Sequence, residues 1–114
     1  MLVRYVRIKR VYFDQIRDGT KTLEGRAASS IFKSIHTGAT IRFCCGRDTF
    51  DVEVIDVRSY KTFGQMIARE PLDKLVPGMN AREALDAYNS IYAPDKLSLG
   101  AVVFELAPVS SAKR

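Results

Sequence analysis

Residues 19–26 of the chain read Gly19-Thr20-Lys21-Thr22-Leu23-Glu24-Gly25-Arg26. This segment places a lysine, a glutamate and an arginine on what reads as one short strand, directly after a helix that a glycine ends. Charged residues are normally sparse in strands, so three of them within six residues are unusual. Because the charges have both signs and lie in a basic part of the chain, the segment indicates a compact polar site for a phosphate-bearing or nucleobase ligand.

The geometry of a strand determines which of these charged side chains can meet. Successive side chains of a strand point to opposite faces, so Glu24 and Arg26 share one face and Lys21 points to the other. Lys21 joins the other two only if the strand starts after it or is bulged near it. Gly19 and Gly25 favour such an irregularity. A regular strand that turned Lys21 away from Glu24 would exclude a site made of all three.

The composition is that of one folded globular domain. The chain has 114 residues, and 46% of them are hydrophobic, which suits a single domain and is too apolar for a disordered chain. No stretch approaches the roughly 20 apolar residues of a membrane span, and the N-terminus lacks a signal-peptide pattern. We therefore expect a soluble cytoplasmic protein with no membrane partner. We expect the domain to occupy residues 1–109 and a short tail to occupy residues 110–114.

Cysteine and histidine are too few and too closely placed for a metal site. Cys44 and Cys45 are adjacent, and neighbours in an extended segment point to opposite faces, so a disulfide between them would be strained. The chain has one histidine, His36, and no metal-binding cysteine spacing. The sequence therefore predicts free thiols and no metal, and we expect no cofactor.

Positive charge is concentrated in the first part of the chain. Residues 1–47 hold ten lysines and arginines against three acids, a net +7, whereas residues 48–114 hold eight against ten, a net −2. A one-sided positive field attracts polyanions such as RNA. The alternative is a solvated face on an ordinary basic protein, and charge alone does not decide between them.

Alternation and capping signals predict five strands and several short helices. The predicted strands cover residues 4–9, 21–26, 40–45, 49–57 and 101–106. The predicted helices cover residues 11–17, one turn within 27–38, and the segments that begin at Thr62 and at Asn80. The alternation breaks at Ile55 and Val57, which indicates a bulge or coverage of the strand on both faces. This order favours an α+β fold, a small mixed barrel with helical flanks, over an open α+β sheet.

The spacing Gly19-x-Lys21-x-x-Glu24-x-Arg26, after a short helix, resembles the signature of ASCH domains, which are small barrels of the PUA-like superfamily. Further segments resemble the family in the same order, so that the resemblance spans residues 3–107: residues 60–63, 70–74, 84–92 and 100–104. The resemblance implies an α+β fold, a small PUA-like mixed β-barrel with flanking short helices, and a cleft beside the signature strand. It also implies an association with RNA or with modified nucleosides.

The leading interpretation is a module that binds RNA or a modified nucleotide in a cleft lined by Lys21, Glu24 and Arg26. Lys21 can supply a positive charge for a phosphate or, if desolvated, act as a general base. Glu24 can accept hydrogen bonds from the amino group of a base. The structural alternative is that Lys21 and Glu24 form an ion pair and do nothing more.

The second interpretation is a hydrolase in which Lys21 and Glu24 are the catalytic residues. Some ASCH relatives remove the acetyl group from N4-acetylcytidine, and others are reported as ribonucleases, which here would act on single-stranded RNA. In the deacetylases a threonine occupies the position of Glu24 and is taken to be the nucleophile, a role that a carboxylate cannot fill. The acidic partner that the family has in the middle helix region has no clear counterpart here, and Glu70 and Asp73 are merely acidic residues in the corresponding segment. A protein-interaction module with a vestigial cleft is a third possibility.

The other candidate ligand-binding residues lie on the signature strand, the first strand, the following loop and the entry of the helix that begins at Thr62: Arg26, Arg7, Lys9, Ser29, Ser30, Lys33 and Tyr60. Arg26 offers a planar fork for a phosphate or a base, and Arg7 and Lys9 can extend a phosphate track. The loop serines and lysine can form a mobile lip over the cleft, with an ordinary loop as the alternative. Tyr88 and Tyr92 are better explained by core packing than by base stacking.

Overall fold

The computed structural model describes residues 3–109, and the predicted tail at residues 110–114 lies outside the described residues. The strands are β1 (Val3–Arg7), β2 (Leu23–Ala27), β3 (Thr40–Cys45), β4 (Asp48–Tyr60) and β5 (Ala101–Pro108). The helices are α1 (Arg10–Asp18), α2 (Ser30–Lys33), α3 (Phe63–Arg69), α4 (Leu72–Leu75), α5 (Ala81–Ile91) and α6 (Pro94–Leu97). Between residues 3 and 109, every helix is too short or too polar to cross a bilayer.

The strands form one mixed sheet in the order β1-β3-β4-β5-β2. β1 pairs with β3 in parallel, and the other three pairings are antiparallel. The register shifts between Val54 and Asp56 on β4, which is the bulge that the broken alternation predicts. The sheet curls into a half-barrel with β1 and β2 as its edges, and the α+β class expected from the sequence is confirmed.

Strand β5 is buried on both faces, which explains its nearly continuous apolar sequence. Val102 and Phe104 pack in one hydrophobic core, together with side chains from α1, β3 and β4. Ala101 and Val103 pack in a second core, together with side chains from β2 and from helices α3, α4 and α5. The two cores therefore lie on opposite faces of β5, and the helices after β4 cover the end of the sheet that carries β2.

Side-chain caps begin two of the helices at the predicted positions. Asn80 Oδ1 accepts from the Glu83 backbone N–H at 2.8 Å, and Glu83 Oε1 accepts from the Asn80 N–H at 2.9 Å, which completes a capping box at α5. Thr62 Oγ1 accepts from the Gln65 N–H at 2.9 Å and caps α3. In a complete capping box the side chain of Gln65 would accept from the N–H of Thr62, but here it accepts from the N–H of Lys61.

Several element boundaries differ from the sequence predictions. β1 ends at Arg7 and not at Lys9, and β4 continues to Tyr60. Strand β2 starts at Leu23, so Lys21 lies before it. Helices α4 and α6 were not predicted, because four residues are too few to show a helical period.

Candidate functional site

The turn before β2 fixes the position of Lys21. Gly19 ends α1 in the left-handed conformation with φ of 89°, and the Asp18 carboxylate accepts from the backbone N–H of Thr20 at 2.8 Å. The Lys21 N–H donates to the Gln15 carbonyl at 3.0 Å, which holds the segment against α1. Because the strand begins only at Leu23, the side chain of Lys21 reaches Glu24, which is the irregular arrangement that a three-residue site requires.

The ammonium group of Lys21 is buried among oxygen atoms. Its Nζ lies 3.2 Å from Glu24 Oε1, donates to the Leu23 carbonyl at 2.6 Å, and donates also to the Leu75 carbonyl. Only 2% of the residue is exposed. These three acceptors account for all three hydrogens of an ammonium group. The ring of Tyr12 lies close by, with its centroid 5.5 Å from Nζ.

Arg26 completes a cation–carboxylate–cation arrangement, which we call the buried triad (Lys21, Glu24 and Arg26). Its Nε donates to Glu24 Oε2 at 2.6 Å, so each carboxylate oxygen of Glu24 contacts one cation. Its Nη2 donates to the Arg7 carbonyl at 3.1 Å and thereby connects the two edge strands of the half-barrel. The guanidinium carbon lies 5.1 Å from the ring centroid of Phe32, which supports it from α2.

Burial and charge act in opposite directions on the pKa values of the triad. Burial raises the pKa of Glu24, but the charges of Lys21 and Arg26 outweigh it, so the pKa lies below its ordinary value of 4.5. Burial lowers the pKa of Lys21 from 10.5, and the carboxylate of Glu24 opposes this shift. With Glu24 ionised, two cations and one carboxylate leave a net charge of +1 in the buried triad.

A cavity of about 210 Å³ opens beside the buried triad, between the edge strands β1 and β2 and the helices α1 and α5. Arg7 and Lys9 line it where β1 ends, and both side chains are exposed. Within residues 3–109, neither side chain makes a hydrogen bond or an ion pair. The cavity therefore combines a positively charged floor with two unpaired cations at its mouth, which favours an anionic ligand.

Three tyrosine rings form another part of the cavity wall. Tyr12 contributes from α1, and Tyr88 and Tyr92 contribute from α5 and its end. Tyr88 is 7% exposed, and in the described part of the chain its hydroxyl has no hydrogen-bond partner. Burial raises the pKa of Tyr88, so its phenol stays neutral and can donate to a ligand.

The ring of Tyr88 can approach β2 because residue 25 is a glycine. A Cβ atom on Gly25 would lie 2.8 Å from Tyr88 Oη and 3.0 Å from Met66 Sδ. The sequence assigned Tyr88 and Tyr92 to the core, and the structure shows that Tyr88 is in the core and lines the cavity as well. The signal that could have indicated this is Gly25 itself, because a glycine inside a strand often marks a close approach.

The predicted loop residues and Tyr60 are placed elsewhere. Among the described residues, those that line the cavity do not include Ser29, Ser30, Lys33 or Tyr60. Ser30 and Lys33 are exposed at the two ends of α2, and the hydroxyl of Tyr60 donates to Glu70 Oε2 at 2.5 Å. The structure therefore brings Lys21, Glu24, Arg26, Arg7 and Lys9 together and separates the other four from them.

The two acidic residues considered as a partner for Lys21 are also away from the cavity. Glu70 binds Arg58 through both oxygens, at 2.7 and 3.0 Å, and Arg58 binds Asp56 and Glu105 as well. The Arg58 guanidinium lowers the pKa of the Glu70 carboxyl. Asp73 is exposed on α4. Glu70 thus anchors the end of α3 to β4, and neither residue lines the cavity.

A curled five-stranded half-barrel with a charged cavity between its edge strands has the architecture of a PUA-like domain. The chain belongs to the ASCH domain family, whose profile matches residues 6–110. The resemblance stated from the signature is therefore confirmed.

Two solved structures are similar over nearly the full length of the chain. The crystal structure of hypothetical protein PH0355 superposes with a TM-score of 0.86 at 25% identity, and covers 95% of this chain and 100% of that one. The solution structure of protein PF0455 from Pyrococcus furiosus gives a TM-score of 0.78 at 25% identity, with coverage of 96% and 99%. No curated protein matches the chain.

Proposed function

We propose that the protein binds single-stranded RNA or a modified nucleotide, with one nucleotide in the cavity beside the buried triad. The observation that carries this proposal is the pairing of a positively charged floor with two unpaired cations, Arg7 and Lys9, at the mouth. Phosphate oxygens are the natural partners of unpaired lysine and arginine side chains. Membership of the ASCH family supports the same class of ligand.

The size and the lining of the cavity favour one unstacked nucleotide over a duplex. A volume of about 210 Å³ is below the range of roughly 300 Å³ and more that drug-sized ligands occupy. Tyr12, Tyr88 and Tyr92 supply aromatic surface, which recognises bases that are splayed out of a stack. The unpartnered hydroxyl of Tyr88 supplies a donor for an oxygen or nitrogen acceptor on the base or sugar.

The structure offers no observation that favours the hydrolytic alternative. The described residues that line the cavity include no serine, threonine or cysteine that could act as a nucleophile. Thr22 lines a separate cavity on the other side of the turn before β2. Lys21 Nζ faces two backbone carbonyls and a carboxylate, so a lone pair for proton abstraction has no free direction towards a substrate. A binding role suits these contacts better.

The test is the affinity for a single-stranded oligouridylate as a function of salt. Each phosphate contact to a single strand contributes a slope of about −0.7 to the plot of log affinity against log salt. The double variant Arg7→Ala/Lys9→Ala should bind more weakly and should lose about 1.4 of that slope. The matched control is Lys61→Ala/Arg69→Ala, which removes two exposed cations that lie outside the cavity lining and should leave the slope unchanged.

Three outcomes would contradict the proposal. The first is that the wild-type protein binds neither oligouridylate nor any nucleotide in a panel of nucleoside monophosphates. Binding could prove independent of salt, which would exclude phosphate contacts. Release of acetate from N4-acetylcytidine that disappears in Lys21→Ala would establish the hydrolytic alternative instead.

A further inference from the structure

The outward face of β1 carries an aromatic ring that neither hydrophobic core uses. Tyr5 is 67% exposed, which makes it the most exposed large hydrophobic residue between residues 3 and 109. It belongs to neither core cluster and does not line the cavity. The guanidinium carbon of Arg42 lies 5.3 Å from the centroid of the ring, and most of the ring surface stays open to solvent.

The ring of Tyr5 is nevertheless held in position. Arg42 on β3 lies directly opposite it in the register, and Arg42 Nη1 donates to the Tyr5 hydroxyl at 2.9 Å. Arg42 is itself fixed by two bonds to Asp51 on β4, at 2.6 and 2.9 Å. These three residues form one row across three strands, because Arg42 is also in register with Asp51. The row orients Tyr5 and leaves most of its surface open.

A free cation lies beside Tyr5 and connects it to the cavity. Of the three cations in residues 3–9, Arg4 lies on the other face of β1 and Arg7 shares the face of Tyr5. Arg7 follows two positions later on the same face of β1, about 7 Å away, and it lines the mouth of the cavity. Its side chain is exposed and, among the described residues, unpaired. An oriented ring beside a free cation is the arrangement with which proteins stack and hold single-stranded nucleic acid.

We propose that β1 forms a second nucleotide subsite, in which Tyr5 stacks on the base next to the one in the cavity and Arg7 contacts the phosphate between them. This subsite rests on the proposed function, since it extends the same bound strand. The polar neighbours Arg42 and Asp51 make the face better suited to a base and its backbone than to the apolar surface of a protein partner.

The experiment compares two probes, uridine monophosphate and a single-stranded oligouridylate of about eight nucleotides. Stacking of a base on an aromatic ring predicts that Tyr5→Ala weakens oligouridylate binding by about fivefold to a hundredfold. The same variant should leave binding of the monophosphate unchanged, because one nucleotide does not reach both subsites. Tyr5→Phe keeps the ring and should retain most of the affinity. Leu99→Ala, a truncation at another exposed apolar residue, is the matched control.

A direct readout is available because the chain has no tryptophan. Tyr5→Trp places a single indole at the proposed subsite, and its fluorescence should be quenched by the oligouridylate but not by the monophosphate. Equal oligouridylate affinity of Tyr5→Ala and wild type, with no quenching in Tyr5→Trp, would overturn the second subsite and leave Tyr5 available to a different partner such as a protein. If wild type binds the monophosphate or the oligomer in that case, the proposed function survives. Absence of all binding would overturn both.

Discussion

Gly25→Ala tests whether the cavity depends on the close approach of Tyr88 to β2. The added Cβ would lie 2.8 Å from Tyr88 Oη, 3.0 Å from Met66 Sδ and 3.2 Å from Met66 Cε. Met66 is fully buried and Tyr88 is 7% exposed, so neither can move without disturbing the second core. Gly25 does not have a positive φ, so the cost is steric and not conformational. Overpacking of this kind costs about 2 kcal/mol of unfolding free energy.

The assay is thermal and urea unfolding of Gly25→Ala beside a matched glycine variant. For a chain of this length, about 2 kcal/mol corresponds to a fall in Tm of about 8 °C. Gly64→Ala is the control, because Gly64 is in α3 and a Cβ there meets only Thr62 Oγ1 at 3.9 Å. That variant should be stabilised by about 0.5 to 1 kcal/mol, since alanine is the better helix former.

A double-mutant cycle assigns the cost to the hydroxyl of Tyr88. Tyr88→Phe alone should be nearly neutral for stability, because within residues 3–109 the hydroxyl has no hydrogen-bond partner to lose. In the Gly25→Ala background the same change removes the 2.8 Å contact and should recover about 1 kcal/mol. The reasoning is refuted if Gly25→Ala unfolds at the wild-type temperature, or if Tyr88→Phe gives no recovery in its presence.

Two further predictions concern the charged clusters. The pKa of Glu24 is lowered in the folded state, because Lys21 and Arg26 outweigh the effect of burial, so the unfolded chain binds more protons near pH 4. The contribution of Glu24 to the free energy of unfolding should therefore be complete above about pH 4.5 and should be lost as the pH falls through the folded pKa. Glu24→Gln should flatten this pH dependence in urea midpoints measured from pH 7 to 3. An unchanged pH dependence in the variant would contradict the prediction. Arg58→Lys keeps the charge but cannot bind both oxygens of Glu70, whose side chain is 3% exposed, so it should cost about 1 to 2 kcal/mol in urea unfolding, and a neutral result would show that the fork contributes nothing.

Local signals in the sequence predicted most of the fold. Alternating apolar residues indicated β1, β3 and β4, the break at Ile55 indicated the bulge in β4, and Asn80 with Glu83 indicated the start of α5. Each of these features depends on residues that lie within a few positions of one another, so a single sequence contains the information needed to predict it. Helix α4 escaped prediction because its four residues directly follow Pro71, which indicated only the end of α3.

Only those contacts of the candidate site that are local in sequence could be predicted. Lys21, Glu24 and Arg26 lie within six residues, so their meeting followed from strand geometry once the strand start was allowed to vary. The Leu75 carbonyl, 54 positions from Lys21, and the ring of Tyr88 reach the site from distant helices. No spacing rule connects such positions, and chain packing alone brings them together.

Because β5 supplies apolar side chains to both cores, the order of synthesis constrains how the domain can fold. A nascent chain that has exposed residues 3–100 still lacks the strand that joins β4 to β2. Neither hydrophobic core can be completed on the ribosome before residues 101–108 emerge. Until then, the edges of β4 and β2 that later pair with β5 are open to non-native pairing with other chains. Folding of the two halves should therefore be concerted and late, with the cavity beside the buried triad among the last features to take shape.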